Sequence, residues 1–128
     1  MEQQVKERAE VLVGVRADFA DDTRRFVEAG GMEIGVLQHD GRFFAYENRC
    51  VHQGGPVCEG RILGRVEAVL DDEQRVLGER FSETERHLIC PWHGYEYDLE
   101  TGECAVDRRL RLRRFEVAEK GDEIYVLV

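Results

Sequence analysis

Two short segments of this chain each offer one cysteine and one histidine as metal ligands. The first is Cys50-Val51-His52 and the second is Cys90-Pro91-Trp92-His93-Gly94. A zinc finger usually groups its ligands as a cysteine pair and a histidine pair, whereas each segment here is mixed. In an extended loop, residues two positions apart point the same way, so one loop can supply one ligand to each of two metal ions. The pattern therefore favours a site for two metal ions, with a single zinc ion or coincidental core residues as the alternatives.

The prolines and several glycines of the chain stand beside these two segments. Pro56 and Pro91 are the only prolines, and their fixed φ helps to hold a loop without using backbone donors. Gly54, Gly55 and Gly94 allow close approach of the backbone, which frees N–H groups to point at sulfur. We therefore expect two tight loops around the metal.

The segments CVHQGGP and CPWHGYEYD resemble the two cluster-binding loops of Rieske-type ferredoxins, and the resemblance extends from about Val11 to the C-terminus. It implies one Rieske [2Fe–2S] cluster per chain, in which two cysteines hold one iron and two histidines hold the other. The implied ligands are Cys50, His52, Cys90 and His93. The residues expected around the cluster are Gly54, Gly55, Pro56, Pro91, Trp92, Gly94, Tyr95 and Tyr97.

Two tyrosines follow the second segment at positions that matter for the redox potential. High-potential relatives place a serine directly after the His-Gly of the second loop and a tyrosine two positions later. Here these residues are Tyr95 and Tyr97. By resemblance, Tyr97 is expected to donate a hydrogen bond to a cysteine sulfur, and the alternative is a core aromatic bonded elsewhere. Tyr95 cannot offer the short hydroxyl of a serine, so we expect a potential in the lower half of the Rieske range of about −150 to +300 mV.

Short apolar runs separated by glycine turns predict an all-β fold, an antiparallel β sandwich or small barrel. Gly30-Gly31 and Asp40-Gly41 are the strongest turn signals. The predicted strands are Val11–Val15, Arg24–Ala29, Met32–His39, Arg42–Glu47, Arg111–Glu119 and Glu123–Val128, with a loop at Asp18–Asp22. The length predicts one domain over residues 1–128. The resemblance implies the Rieske architecture, a β core with a small cluster-binding subdomain.

The stretch between His52 and Cys90 is longer than in the ferredoxins that the chain resembles, and the surplus lies within residues 64–86. Val66, Ala68 and Leu70 alternate with polar residues, so the pattern predicts an extra hairpin, with a short helix as the second choice. The insertion is either surface decoration or an element that docks a partner.

Charge and cysteine usage limit the compartment and the partners. The net charge of −9 argues against nucleic acid and against an anionic membrane surface. No apolar stretch is long enough to span a bilayer. Rieske subunits of respiratory complexes carry an anchor or export signal and a disulfide that braces the loops, but the bracing positions here are Gly55 and Trp92. Cys58 and Cys104 are expected to be buried thiols, so we expect a cytoplasmic, soluble protein.

The resemblance implies a one-electron carrier rather than an enzyme, a ferredoxin that takes electrons from a flavin-dependent reductase and passes them to a terminal Rieske-type oxygenase. An oxygenase would need a second iron held by two histidines and a carboxylate, and only His39 and His87 remain for that site. The remaining alternatives are the small Rieske-like subunit of a nitrite reductase and an accessory redox module of another enzyme.

Overall fold

The computed structural model describes residues 9–20, 23–51, 54–92 and 94–128, with the backbone only at 66, 81, 83 and 84. Contacts divide the chain into two compact units. One comprises the residues up to Asn48 together with Arg113–Val128, and the other comprises Arg49–Leu112. That residues 1–128 form a single domain with an insertion at about 64–86 stays a prediction.

The first unit is a six-stranded antiparallel sheet. Its strands are β1 (Glu10–Val15), β2 (Arg24–Ala29), β3 (Met32–His39), β4 (Arg42–Glu47), β8 (Arg114–Lys120) and β9 (Glu123–Leu127), in the spatial order β1-β9-β8-β4-β3-β2. At its open side, the Arg25 guanidinium on β2 donates to the Val13 carbonyl on β1 over 3.2 Å, which makes the sheet nearly closed. The predicted all-β class is therefore confirmed.

Turn residues and side-chain alternation explain why these segments pair as they do. Gly30, Gly31, Asp40 and Gly41 all have positive φ, as required by the tight turns that join two twisted strands. Both turns were predicted from the sequence, and the strands that they join have the predicted bounds. Inward-facing residues form one apolar core, made of Val13, Phe19, Ile34, Val36, Ala45, Phe115, Ile124 and Val126.

The second unit is built on a three-stranded antiparallel sheet, β5 (Arg61–Leu70), β6 (Val76–Ile89) and β7 (Glu96–Asp98). Most of residues 64–86 therefore lies in a long β5–β6 hairpin, which confirms the predicted hairpin and rejects the helix. The pairing is irregular between Gly64 and Val66. Gly64 pairs with Arg86 but Val66 pairs with Phe81, so β6 has extra residues at this point. This bulge divides the hairpin into an inner part beside β7 and an outer part.

Apart from differences of one residue at ends of β1, β8 and β9, the structure differs from the predicted elements in two places. The last hairpin begins at Arg114 rather than Arg111, because the Leu112 N–H donates to the Gly102 carbonyl over 2.9 Å and ties that stretch to the second unit. Arg16–Asp18 forms one turn of 3₁₀ helix at the start of the predicted loop. Across the described ranges, no helix is long and apolar enough to cross a membrane.

Candidate metal centre

The two ligand segments form loops that close in the same way. The Cys50 N–H donates to the Gly55 carbonyl over 2.8 Å, and the Cys90 N–H donates to the Tyr95 carbonyl over 2.8 Å. In each loop, the cysteine is therefore bonded to the residue five positions later. Each cysteine is thus held at the base of a closed loop, one following β4 in sequence and the other following β6.

A glycine with positive φ makes each loop possible. Gly54 has φ +76° and Gly94 has φ +68°, and each stands four positions after the cysteine of its loop. Other L-residues rarely adopt this conformation, so a side chain at either position would strain the turn. The structure thus shows that both glycines are needed for the turn, while their predicted role in directing N–H groups at sulfur stays a prediction.

The two loops bring their cysteine sulfurs together in the interior of the second unit. Cys50 is 3% exposed and Cys90 is 1% exposed, and their side chains are hydrogen-bonded to each other. Burial raises the pKa of the Cys90 thiol, and the nearby Cys50 adds to the rise, although the backbone N–H of Trp92 donates to the Cys90 sulfur and opposes it. A metal must displace these protons, since the thiolate is the ligand form.

Tyr97 on β7 reaches the first of these sulfurs. Its hydroxyl oxygen lies 2.9 Å from Cys50 Sγ, and the ring is fully buried. Burial, followed by the neighbouring Cys50, raises the pKa of the Tyr97 hydroxyl, so it keeps its proton. Against a metal-bound thiolate the hydroxyl therefore acts as the donor, in the contact that the family resemblance implies.

The two loops also touch where a bracing disulfide would stand in respiratory relatives. A Cβ on Gly55 would lie 2.9 Å from ring atoms of Trp92, so the indole packs directly against this glycine. Trp92 is still 51% exposed, and Val51 of the first loop is 43% exposed. A packing contact thus replaces the covalent brace and leaves apolar surface beside both loops.

The remaining predicted residues occupy more peripheral places. Pro56 precedes a turn of 3₁₀ helix, Val57–Glu59, that follows the first loop, while Pro91 is exposed and Tyr95 is half-buried. His52 and His93 lie outside the described residues, so the structure presents the sulfur half of the proposed site. Two buried thiols in contact, one receiving an N–H and the other facing a hydroxyl, fit the iron of a Rieske cluster that takes two cysteines.

The other two cysteines agree with their predicted role as buried thiols. Cys58 and Cys104 are both fully buried, and none of the four cysteines, all of which the structure describes, forms a disulfide. Cys104 forms an isolated antiparallel β-bridge with Tyr97 of β7.

Sequence reasoning missed a second cluster of titratable groups, on the other face of β6 and β7. His87 is only 3% exposed, with Glu96 at one ring nitrogen and Glu85 at the other. Burial alone would raise the pKa of Glu85, but hydrogen bonds from His87 and Arg65 outweigh it and hold this pKa below its usual value. The signal in the sequence was the spacing of Glu85 and His87, two apart in a strand, and of Glu96 and Asp98, two apart in the next.

Comparisons with known proteins identify the family of the chain. The sequence model described as "Rieske [2Fe-2S] domain" matches residues 9–116. A human Rieske domain-containing protein is 31% identical over 98 residues, which cover 77% of this chain and 52% of that protein. The chain thus spans about half the length of this curated relative.

Solved structures share the fold. A chain from the complex of reduced oxygenase and oxidised ferredoxin in carbazole 1,9a-dioxygenase is 26% identical, with a TM-score of 0.66 and 92% of each chain covered. A structure described as a putative NADH-dependent nitrite reductase small subunit from Mycobacterium tuberculosis has a TM-score of 0.74 at 13% identity, covering 96% of this chain and 97% of that one. With two buried thiols presented by matching loops, the chain belongs to the Rieske [2Fe–2S] domain family, whose cofactor is a [2Fe–2S] cluster.

Proposed function

We propose that this chain is a ferredoxin that carries one electron at a time from a flavin-dependent reductase to a terminal Rieske-type oxygenase. Rieske domains of this kind serve as electron carriers in oxidoreductase systems. The proposed ligands are Cys50 and Cys90 for one iron and His52 and His93 for the other. In this role the chain transfers electrons and does not itself convert an organic substrate.

The observation that carries the proposal is the buried sulfur pair with its hydroxyl donor. When bound, the cluster supplies one-electron redox chemistry. Cys50 and Cys90 would hold it as thiolates, and Tyr97 would donate a hydrogen bond to Cys50 Sγ from 2.9 Å. Because two ferric ions, two sulfides and two thiolates sum to zero charge, the added electron makes the cluster negative. A hydrogen-bond donor at sulfur stabilises that negative charge.

The surface beside the loops supports electron exchange with another protein. Val51 and Trp92, which immediately precede the proposed histidine ligands in the sequence, leave apolar area exposed, and exposed apolar area of this kind suits transient contact. The chain carries a net charge of −9, which favours approach to a basic partner surface. A chain that is 26% identical comes from a complex of oxygenase and ferredoxin, which supports an oxygenase as the acceptor.

A reducing compartment belongs to the same proposal. None of the four cysteines, all within the described ranges, forms a disulfide, and two of them, Cys58 and Cys104, have no proposed ligand role. The cytoplasm keeps such thiols reduced. We therefore propose a cytoplasmic location.

The test is to purify the tagged protein from its native organism under reducing conditions and to identify the co-purifying proteins by mass spectrometry. The proposal predicts a flavin-dependent reductase and an oxygenase with its own Rieske domain. Gly54→Val, which strains the first loop, serves as a matched control that should lose cluster and partners together. Recovery of the large subunit of a nitrite reductase instead would support the alternative, for which the 13% identical structure supplies only the fold.

A further inference from the structure

Strand register places three metal-ligating side chains on one face of the β6–β7 pair. His87 on β6 lies directly opposite Asp98 on β7, and Glu85 precedes His87 by two positions. Residues two apart in a strand share a face, and directly opposed residues do as well. One ligand atom from each of Glu85, His87 and Asp98 lies within 4.8 Å of the other two.

The two nitrogens of the His87 ring both face carboxylates. Nδ1 lies 3.0 Å from Glu96 Oε1, and Nε2 lies 3.3 Å from Glu85 Oε1. A neutral imidazole has one N–H, and an ionised carboxylate only accepts. One of the two contacts therefore joins two acceptors unless a proton or a metal cation lies between them.

The geometry and the charge of this cluster suit a metal cation. Two ligands of a tetrahedral ion with bonds of about 2.1 Å are about 3.4 Å apart, which matches the 3.3 Å between Glu85 and His87. Asp98 uses Oδ1 to accept N–H groups of the following turn, which leaves its other oxygen for a metal. Three carboxylates, counting Glu96, and the guanidinium of Arg65, which pairs with Glu85, together carry a net charge of minus two.

Glu96 completes the arrangement from behind. In metal sites, a histidine ligand commonly donates its second N–H to a carboxylate, which fixes the tautomer and orients the ring. The 3.0 Å contact between Glu96 Oε1 and Nδ1 has this form and turns the lone pair of Nε2 toward Glu85. His87 is buried, while the Glu85 and Glu96 side chains are 27% and 37% exposed, so an ion can enter from solvent.

We propose that Glu85, His87 and Asp98 form a binding site for a divalent transition-metal ion, separate from the iron–sulfur cluster, with Glu96 as the residue that positions His87. One nitrogen and two carboxylate oxygens with an open fourth position suit Zn²⁺ or a similar ion. The bound ion cross-links β6 to β7. Its expected effect is to stabilise the strands that lead into Cys90 and carry Tyr97.

The experiment is equilibrium dialysis of the cluster-loaded protein against Zn²⁺, with zinc and iron per chain measured by mass spectrometry. We expect one Zn²⁺ per chain with iron unchanged. His87→Gln removes the nitrogen ligand, and Asp98→Asn keeps the turn acceptor but removes a charged oxygen; each should weaken binding by about 10-fold or more. Two controls, His39→Gln on β3 and Glu79→Gln on the exposed outer hairpin, should bind like the unmodified protein.

Glu96→Gln separates a positioning role from general attraction by charge. Glu96 contacts Nδ1 of His87, whereas the proposed ligand atom is Nε2. We therefore expect Glu96→Gln to bind zinc about 10-fold to 100-fold more weakly, with the same stoichiometry. Zn²⁺ should also raise the melting temperature of the unmodified protein but not that of His87→Gln. If His87→Gln and Asp98→Asn bind zinc like the controls, or if the unmodified protein binds none, the contact is bridged by a proton and the proposal is overturned.

Discussion

Removal of the Tyr97 hydroxyl should lower the reduction potential of the cluster. In the structure, this hydroxyl lies 2.9 Å from Cys50 Sγ in a fully buried environment. The hydrogen bond withdraws electron density from the sulfur, and it strengthens when the cluster gains negative charge. Tyr97→Phe deletes this donor and keeps the ring, so the packing against neighbouring strands is retained.

The magnitude follows from the energy of one buried hydrogen bond. Net hydrogen-bond contributions are about 1 kcal/mol, and bonds to charged groups are worth about 1.5–3 kcal/mol. A difference of about 1 kcal/mol between oxidised and reduced states corresponds to about 40 mV for a one-electron couple. We therefore expect Tyr97→Phe to lower the potential by about 40 mV.

Protein-film voltammetry at one pH measures the shift. Tyr46→Phe is the matched control, because Tyr46 is also fully buried but lies in the first unit, and we expect no change in its potential. A shift of only a few millivolts in Tyr97→Phe would show that the hydroxyl does not act on the cluster, and the argument from the 2.9 Å contact would fail.

Three further predictions test the loops and the hairpin. A Cβ on Gly60 would overlap the Ile89 carbonyl, so Gly60→Ala should destabilise the protein by about 1–3 kcal/mol, whereas Gly78→Ala, in open space, should stay within about 0.5 kcal/mol in chemical unfolding. Replacing Val66–Arg80 with a short Gly/Ser link removes the outer hairpin and should leave the visible cluster spectrum unchanged. Loss of the cluster would show that the outer hairpin is not independent of the cluster site. The potential should fall as pH rises above neutrality, because reduction then favours proton uptake by the proposed ligands His52 and His93. A flat potential from pH 6 to about 11 would contradict this coupling of reduction to proton uptake.

The sequence predicted those parts of the fold that depend on local signals. The paired glycines and the Asp40-Gly41 turn require positive φ, so β2, β3 and β4 were predicted with the observed bounds. The β8 boundary could not be predicted in this way, because it depends on a long-range hydrogen bond from Leu112 to Gly102. Contacts between distant segments leave no mark on local periodicity.

The same distinction applies to the site. Cys50 and Cys90 were predicted from ligand spacing, and the contact of Tyr97 with sulfur came from the resemblance to high-potential relatives. The contact of Trp92 with Gly55 was not predicted, because glycine carries no signal of what packs against it. The His87 cluster was missed because its partners come from two strands whose register only the folded chain defines.

The most direct test of the account is the amount of iron and acid-labile sulfide in the purified native protein. The account predicts two irons and two sulfides per chain, since Cys50, His52, Cys90 and His93 are proposed to hold one Rieske cluster. One zinc per chain beside this cluster would be compatible with the account. Stoichiometric zinc with no labile sulfide would contradict it.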